Sequence, residues 1–173
     1  PQPVVVAVQG PCVGGGIDLC CCADVRLAVA GASWFCIKEV DIGLAADVGT
    51  LARLPKAVGS ASLVSELAMT ARPLRSAEAL QCGFVSCVAP DRAQLLSRAR
   101  ELAATIARKS PLAVAGTKHN LLFARDHTVA QANAHVAQEA VTSYDEAFEQ
   151  MVAAHPGAHE VAPGVFSVGE LAP

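Results

Sequence analysis

Three acidic side chains set among apolar neighbours, Asp18, Glu39 and Asp47, and the run Gly14-Gly15-Gly16 are the residues of this chain best suited to chemistry. Without Cβ atoms a backbone can approach a ligand closely, and N–H groups at a helix start point outward carrying partial positive charge. Such a turn can hold an oxyanion. The same glycines could equally serve only a tight strand-to-helix turn. They make no dinucleotide fingerprint, because Asp18 and Leu19 stand where a third spaced glycine would fall, and no phosphate loop, because no Lys-Ser or Lys-Thr follows.

The carboxylates divide into two easily housed and one not. Asp18 suits the positive end of a helix dipole, and Asp47 could N-cap a helix beginning near Val48. Glu39 is expected to end an apolar strand, where a carboxylate must be paired, protonated or useful. Burial is also how a carboxylic acid is tuned to general-base work.

The elements that must position these groups follow from pattern and punctuation. Val4 to Val8 reads as a buried strand by its β-branched content, Gln9-Gly10-Pro11 as a turn, and Ile17 to Ala23 as a helix with Asp18 in its first turn. Val25 to Ala30 is a second short strand and Ala32 to Val40 a third, ending at Glu39. Past Asp47, helical spacing of Val48, Leu51, Leu54 and Val58 predicts a helix up to Gly59, and Leu63, Leu67 and Ala68 predict another. Ser76 can cap a short helix Ala77 to Cys82, stopped by Gly83 before a strand Phe84 to Val88. Pro90 ends that strand, and Asp91 caps a helix to about Lys109 with Leu95, Ala99 and Leu102 facing inward. Ser110-Pro111 starts the next helix, reaching Arg125. A polar helix is expected from about Thr128 to Met151, and an irregular tail from His155. The chain divides on this reading into a core over 1–109, a helical region over 110–154 and a tail over 155–173.

Composition bounds the function. With 173 residues, 53% of them hydrophobic, the chain can build a compact domain on Ala, Val and Leu. No apolar run reaches the ~20 residues of a membrane-crossing helix, so no membrane partner is expected. A net charge of −3, dispersed Lys and Arg, and 4% aromatics give neither a basic stripe nor stacking platforms for nucleic acid. The seven cysteines, including Cys20-Cys21-Cys22, show no zinc-type spacing and read as small core residues in a reducing compartment. His155 and His159 are separated by Pro156 and Gly157, which break the helix that would align them, so no metal site is read.

Together, Val4 to Gly16, the Gly-Gly-Gly-Ile-Asp-Leu step, Asp24-Val25-Arg26, the segment Lys38 to Thr50, and Ser76-Ala77-Glu78-Ala79-Leu80 with Gly83 and Val85 resemble the crotonase (enoyl-CoA hydratase/isomerase) superfamily. Within it the likeness is to the Δ3,5-Δ2,4-dienoyl-CoA isomerases. Glu39-Val40-Asp41, Gly43 to Thr50 and Arg53-Leu54-Pro55-Lys56 carry that narrower likeness, continued by Lys118, Asn120-Leu121-Leu122 and Arg125-Asp126-His127. The resemblance spans roughly Pro3 to Met151, with one extra residue around Ala30 to Trp34.

The resemblance implies an α/β fold, a superhelix of ββα turns followed by a C-terminal helical region that mediates trimer packing, with trimers or hexamers as the assembly. By motif, Gly15 corresponds to the glycine whose N–H forms half of an oxyanion hole for a thioester carbonyl. Glu39 corresponds to the base that takes a proton from C2, Asp47 to the acid that returns one at C6, and Asp18 to a third, assisting carboxylate. The reaction implied moves the double bonds of a 3,5-dienoyl-CoA to the 2,4 positions during unsaturated fatty acid β-oxidation, through a dienolate that each oxyanion donor stabilises by about 3 kcal/mol. No cofactor is implied, since coenzyme A is part of the acyl-CoA substrate.

Two other readings stay open: hydration or single double-bond isomerisation of an enoyl-CoA using Glu39 alone, and a non-catalytic subunit joining full-length relatives. The latter follows because the chain starts at the strand before the triple glycine, whereas the family's preceding portion carries the second oxyanion N–H and much of the adenine pocket. The expected location is intracellular, in a mitochondrion or peroxisome, although Glu170-Leu171-Ala172-Pro173 is no Ser-Lys-Leu ending.

Overall fold

Alternation along the first strand sets the layering. A computed structural model of the chain describes residues 2–138 in full and the backbone of 158–162 and 165–168. In β1 (Val5–Val8), Val6 and Val8 face one hydrophobic cluster while Val5 and Ala7 face another. The period-2 geometry of a strand requires this split. β3 (Val25–Val29) repeats it, with Ala28 on the first side and Leu27 and Val29 on the second. With β6 (Cys87–Ala89), these strands make a parallel sheet in the order β1-β3-β6. Both its faces are covered, as parallel sheets require.

The larger cluster lies between this sheet and a second one, in which β2 (Pro11–Val13) pairs parallel with β4 (Trp34–Cys36), and β4 pairs antiparallel with β5 (Leu74–Arg75). Four helices contribute to it: α1 (Gly15–Cys22), α2 (Thr50–Ala57), α3 (Ala61–Thr70) and α4 (Ser76–Gln81). At its centre Phe35 and Phe84, both fully buried, meet edge to face at 5.0 Å between ring centroids. The smaller cluster is closed by α5 (Arg92–Ala107), whose Leu95 is completely buried against Leu27, Val29 and Ala89. Polar links cross the core. Ser33 Oγ donates to the carbonyl of Val8 at 2.7 Å and accepts from the N–H of Val29 at 2.9 Å. Arg26 donates to the carbonyls of Phe84 at 2.6 Å and Ala23 at 2.7 Å, and its guanidinium lies over the Phe84 ring. It thereby places a cation at the C-terminal end of α1, where the dipole favours one.

The α/β class expected from the resemblance is the class observed, while several local boundaries differ. The third strand ends at Cys36, and Glu39 opens a 3-10 turn, Glu39–Ile42, closed by Gly43 in the left-handed region. Alternation fails there because Val40 and Ile42 are exposed. α2 starts at Thr50, not near Val48, since Gly49 has φ +125°, outside helical space. Asp47 is therefore not its cap. Ser76 is the first residue of α4 and accepts from the N–H of Gly31 at 3.3 Å, so it does not cap its own helix. Phe84 and Val85 enter the core before pairing begins at Cys87.

Contacts divide the chain into two compact units, Pro1–Arg108 and Lys109–Pro173. In the second, Ser110 caps α6 (Pro111–Asp126) by accepting from the N–H of Ala113, as the Ser-Pro pair predicts. A further helix covers 129–138; its expected continuation to Met151 lies outside the described residues. The segment from His155, expected to be irregular, contains β7 (Ala158–Ala162) and β8 (Val165–Val168), paired antiparallel. Pro163-Gly164 between two Val-bearing runs is the hairpin signal that reading passed over.

Candidate active site

The first turn of α1 is the reference point for the acidic residues. β2 delivers the chain to Gly14, whose N–H donates to the carbonyl of Cys36 at 3.0 Å, so the turn is fastened to β4. Gly14 has φ +54° and ψ −124°, a conformation that side chains rarely tolerate. It is the N-cap of α1, and the N–H of Ile17 returns to its carbonyl at 2.9 Å. Gly15 and Gly16 hold the first two helical positions, whose N–H groups have no carbonyl within the helix to bind. This is the end of a helix that attracts negative charge.

Glu39 meets that turn. A Cβ built on Gly14 would lie 3.2 Å from Glu39 Oε1, so glycine at this position is what lets the carboxylate lie close to the backbone. The other oxygen, Oε2, is buried and without a hydrogen-bond partner. A buried acceptor left open in this way calls for an explanation. A ligand proton is a sufficient one. The neighbouring charges are occupied with each other, since Lys38 pairs with Asp41, and that bond holds the Lys38 ammonium above its ordinary range.

Asp18 follows Gly15 by three residues on the same helix and is 4% exposed. Its Oδ1 accepts from the N–H of Thr50 at 2.7 Å and from Thr50 Oγ1 at 2.6 Å. A carboxylate on α1 thus caps the first N–H of α2 from a distance of 32 residues in sequence. Asp47 stands three residues before Thr50 in an exposed connection, between buried Ala46 and the glycine at 49. The structure brings Glu39 to the glycine turn and Asp18 to Thr50, while Asp47 remains solvent-exposed beside that second junction.

Sequence reasoning missed Gly14 as the glycine with the demanding backbone and Thr50 as the partner of Asp18. Gly49-Thr50, a helix-breaking glycine followed by a hydroxyl, was the available signal. Asp24 also has a structural task, accepting from the N–H of Val4 at 2.6 Å. Behind the turn, Cys12 Sγ and Cys20 Sγ lie 3.4 Å apart and share a hydrogen bond, which eases ionisation of Cys20 and opposes that of Cys12. Burial pushes Cys21 up to about 11. All seven cysteines are free thiols, and Cys12, Cys20 and Cys21 are packed in the larger core cluster.

A glycine turn with outward N–H groups beside an open carboxylate oxygen can remove a proton next to a carbonyl and hold the enolate oxygen that results. The family model described as Enoyl-CoA hydratase/isomerase matches residues 1–153. The mitochondrial Delta(3,5)-Delta(2,4)-dienoyl-CoA isomerase of Homo sapiens is 55% identical over 137 residues, covering 79% of this chain and 42% of that protein. The peroxisomal Delta(3,5)-Delta(2,4)-dienoyl-CoA isomerase of Arabidopsis thaliana is 45% identical over 136 residues, covering 79% and 48%. This chain therefore spans less than half the length of either relative. Among solved structures, an enoyl-CoA hydratase from Mycobacterium marinum superposes with a TM-score of 0.77 at 32% identity, covering 87% of this chain and 60% of that one.

Proposed function

This chain belongs to the enoyl-CoA hydratase/isomerase family, and on that footing we propose that it shifts the double bonds of a 3,5-dienoyl-CoA thioester to the 2,4 positions. The observation that carries the reading is Glu39, set against Gly14 at the start of α1 with Oε2 buried and unpartnered. Glu39 takes the C2 proton. The electron pair left behind delocalises along the diene onto the thioester oxygen, which the N–H of Gly15 receives, worth about 3 kcal/mol per donor. Asp47, in its acid form, gives its proton to C6, and Glu39, now carrying the C2 proton, must lose it as Asp47 regains one before the next turnover. Asp18 assists, and coenzyme A is the handle of the substrate rather than a cofactor. The narrower assignment is supported by the 55% identity to the human dienoyl-CoA isomerase. The names of the two isomerase relatives favour a mitochondrion or peroxisome as the compartment. A homotrimer or hexamer is the assembly that goes with the family resemblance.

The hydratase name of the M. marinum structure keeps enoyl-CoA hydration as the second reading. Separate incubation of the full chain with 3,5-dienoyl and 2-enoyl thioesters tests both, the first followed by the absorbance gained as the diene enters conjugation with the thioester, the second by the absorbance lost as water adds across the enoyl double bond. Glu39→Gln should lower turnover by at least about 100-fold without unfolding the protein. Reaction with the simple enoyl substrate alone would remove the role given to Asp47, and an active Glu39→Gln variant would remove the role given to Glu39.

A further inference from the structure

We propose that Thr50 is a positioning residue which, through Asp18, fixes the Asp47-bearing segment 46–50 against the first turn of α1. The segment is held at both ends. Ala46 is buried in the larger core cluster, and Thr50 is completely buried with both its N–H and its hydroxyl on one oxygen of Asp18. Between them Asp47 and Val48 face solvent, and Gly49 takes φ +125° with the guanidinium of Arg53 filling the space a side chain would need. The arc has no regular backbone ladder to define it. Its register depends on its two anchors, and only the Thr50 anchor reaches α1 by a hydrogen bond.

Glu39 is referenced to the same helix through Gly14, four residues before Asp18. One helical turn thus serves as the common origin from which the base and the acid are both measured. Two short hydrogen bonds to one carboxylate oxygen are stiffer than the neutral contacts of an ordinary loop. Asp18 on this view assists by holding geometry, its Oδ1 already engaged by Thr50.

The test uses the full chain and the variant Thr50→Val, which keeps the shape and the N–H bond and loses the hydroxyl with its bonds to Asp18 and to the Cys21 thiol. Hydrogen exchange at the amide of Thr50, which donates to Asp18, should quicken by about tenfold, the equivalent of one charge-assisted hydrogen bond, while α5 is unchanged. Thr50→Ala is the second variant should valine disturb the packing, and Thr50→Ser should restore protection. The kinetic arm rests on the dienoyl-CoA reading. There, kcat should fall about tenfold with KM within about twofold, because sub-ångström misplacement of a proton donor slows the step without weakening binding. Thr50→Val and Asp18→Ala combined should be no slower than Asp18→Ala alone. Unchanged exchange at the Thr50 amide overturns the anchor whatever the enzyme does. Quickened exchange with unaltered kcat overturns the positioning role. Absence of any dienoyl turnover in the unsubstituted chain sinks the isomerase reading instead, and the exchange result still decides the anchor.

Discussion

Gly14→Ala isolates the backbone geometry on which the site depends. Alanine at φ +54° and ψ −124° leaves the regions open to L-residues, a strain of about 1–3 kcal/mol. Its methyl would also lie 3.2 Å from Glu39 Oε1, closer than a relaxed contact, so the carboxylate must give way by a few tenths of an ångström. Gly15 is the contrast, because it sits in the first helical position with nothing within 4 Å of its would-be Cβ. Thermal unfolding of the three proteins provides the stability assay. A loss of about 2 kcal/mol corresponds to a drop of roughly 4–8 °C for a chain of this size. Gly14→Ala should show that drop, and Gly15→Ala should melt within about 2 °C of the parent, a shift of under 1 kcal/mol. On the dienoyl thioester, Gly14→Ala should also slow turnover by about tenfold, since a displacement near 1 Å would cost about 100-fold. Equal melting temperatures for Gly14→Ala and Gly15→Ala would refute the claim that the turn at Gly14 requires a glycine.

Further outcomes follow from the charged anchors. Arg72 bonds Glu78 through both carboxylate oxygens at 2.8 and 2.9 Å, and this holds Glu78 below its ordinary 4.5. A depressed folded-state acid adds stability above its unfolded value that is lost as pH falls through the folded one. The urea midpoint should therefore stay level from pH 7 to 5 and decline below about pH 4.5, and Glu78→Gln should flatten that decline; an identical acid limb in the variant would exclude this pair as a cause. Arg26→Met should destabilise the fold by about 1–3 kcal/mol, because the carbonyls of Phe84 and Ala23 lose their donor, measurable by urea unfolding.

Much of the architecture was legible because local chemistry and tertiary demand agreed. Asp91 accepts from the N–H of Gln94 at 2.9 Å and Ser110 from that of Ala113 at 3.4 Å, caps that depend on residues three apart. The Val-rich run at the start forms the strand its β-branched content predicts, and the helical stripe that begins at Leu95 and continues to Ala99 packs inward as its spacing requires. Boundaries failed where a backbone angle overrode a pattern. Val48 and Leu51 keep helical spacing with Leu54, yet Gly49 at φ +125° starts the helix later and leaves both exposed.

By itself the sequence determined which residue types could do acid–base chemistry, the α/β class, and the family to which the motifs point. Those properties reside in side-chain identity and short-range order. Only the folded chain decided that Glu39 leaves its strand to lie against Gly14, and that Asp18 is engaged by Thr50. It also decided that Asp47 rides on an exposed arc between two anchors. Contacts between residues 25 to 32 positions apart, such as Gly14 with Glu39 and Asp18 with Thr50, depend on how strands and helices stack. That stacking follows from burying Phe35, Phe84 and Ile17 together, a collective event that no local spacing encodes.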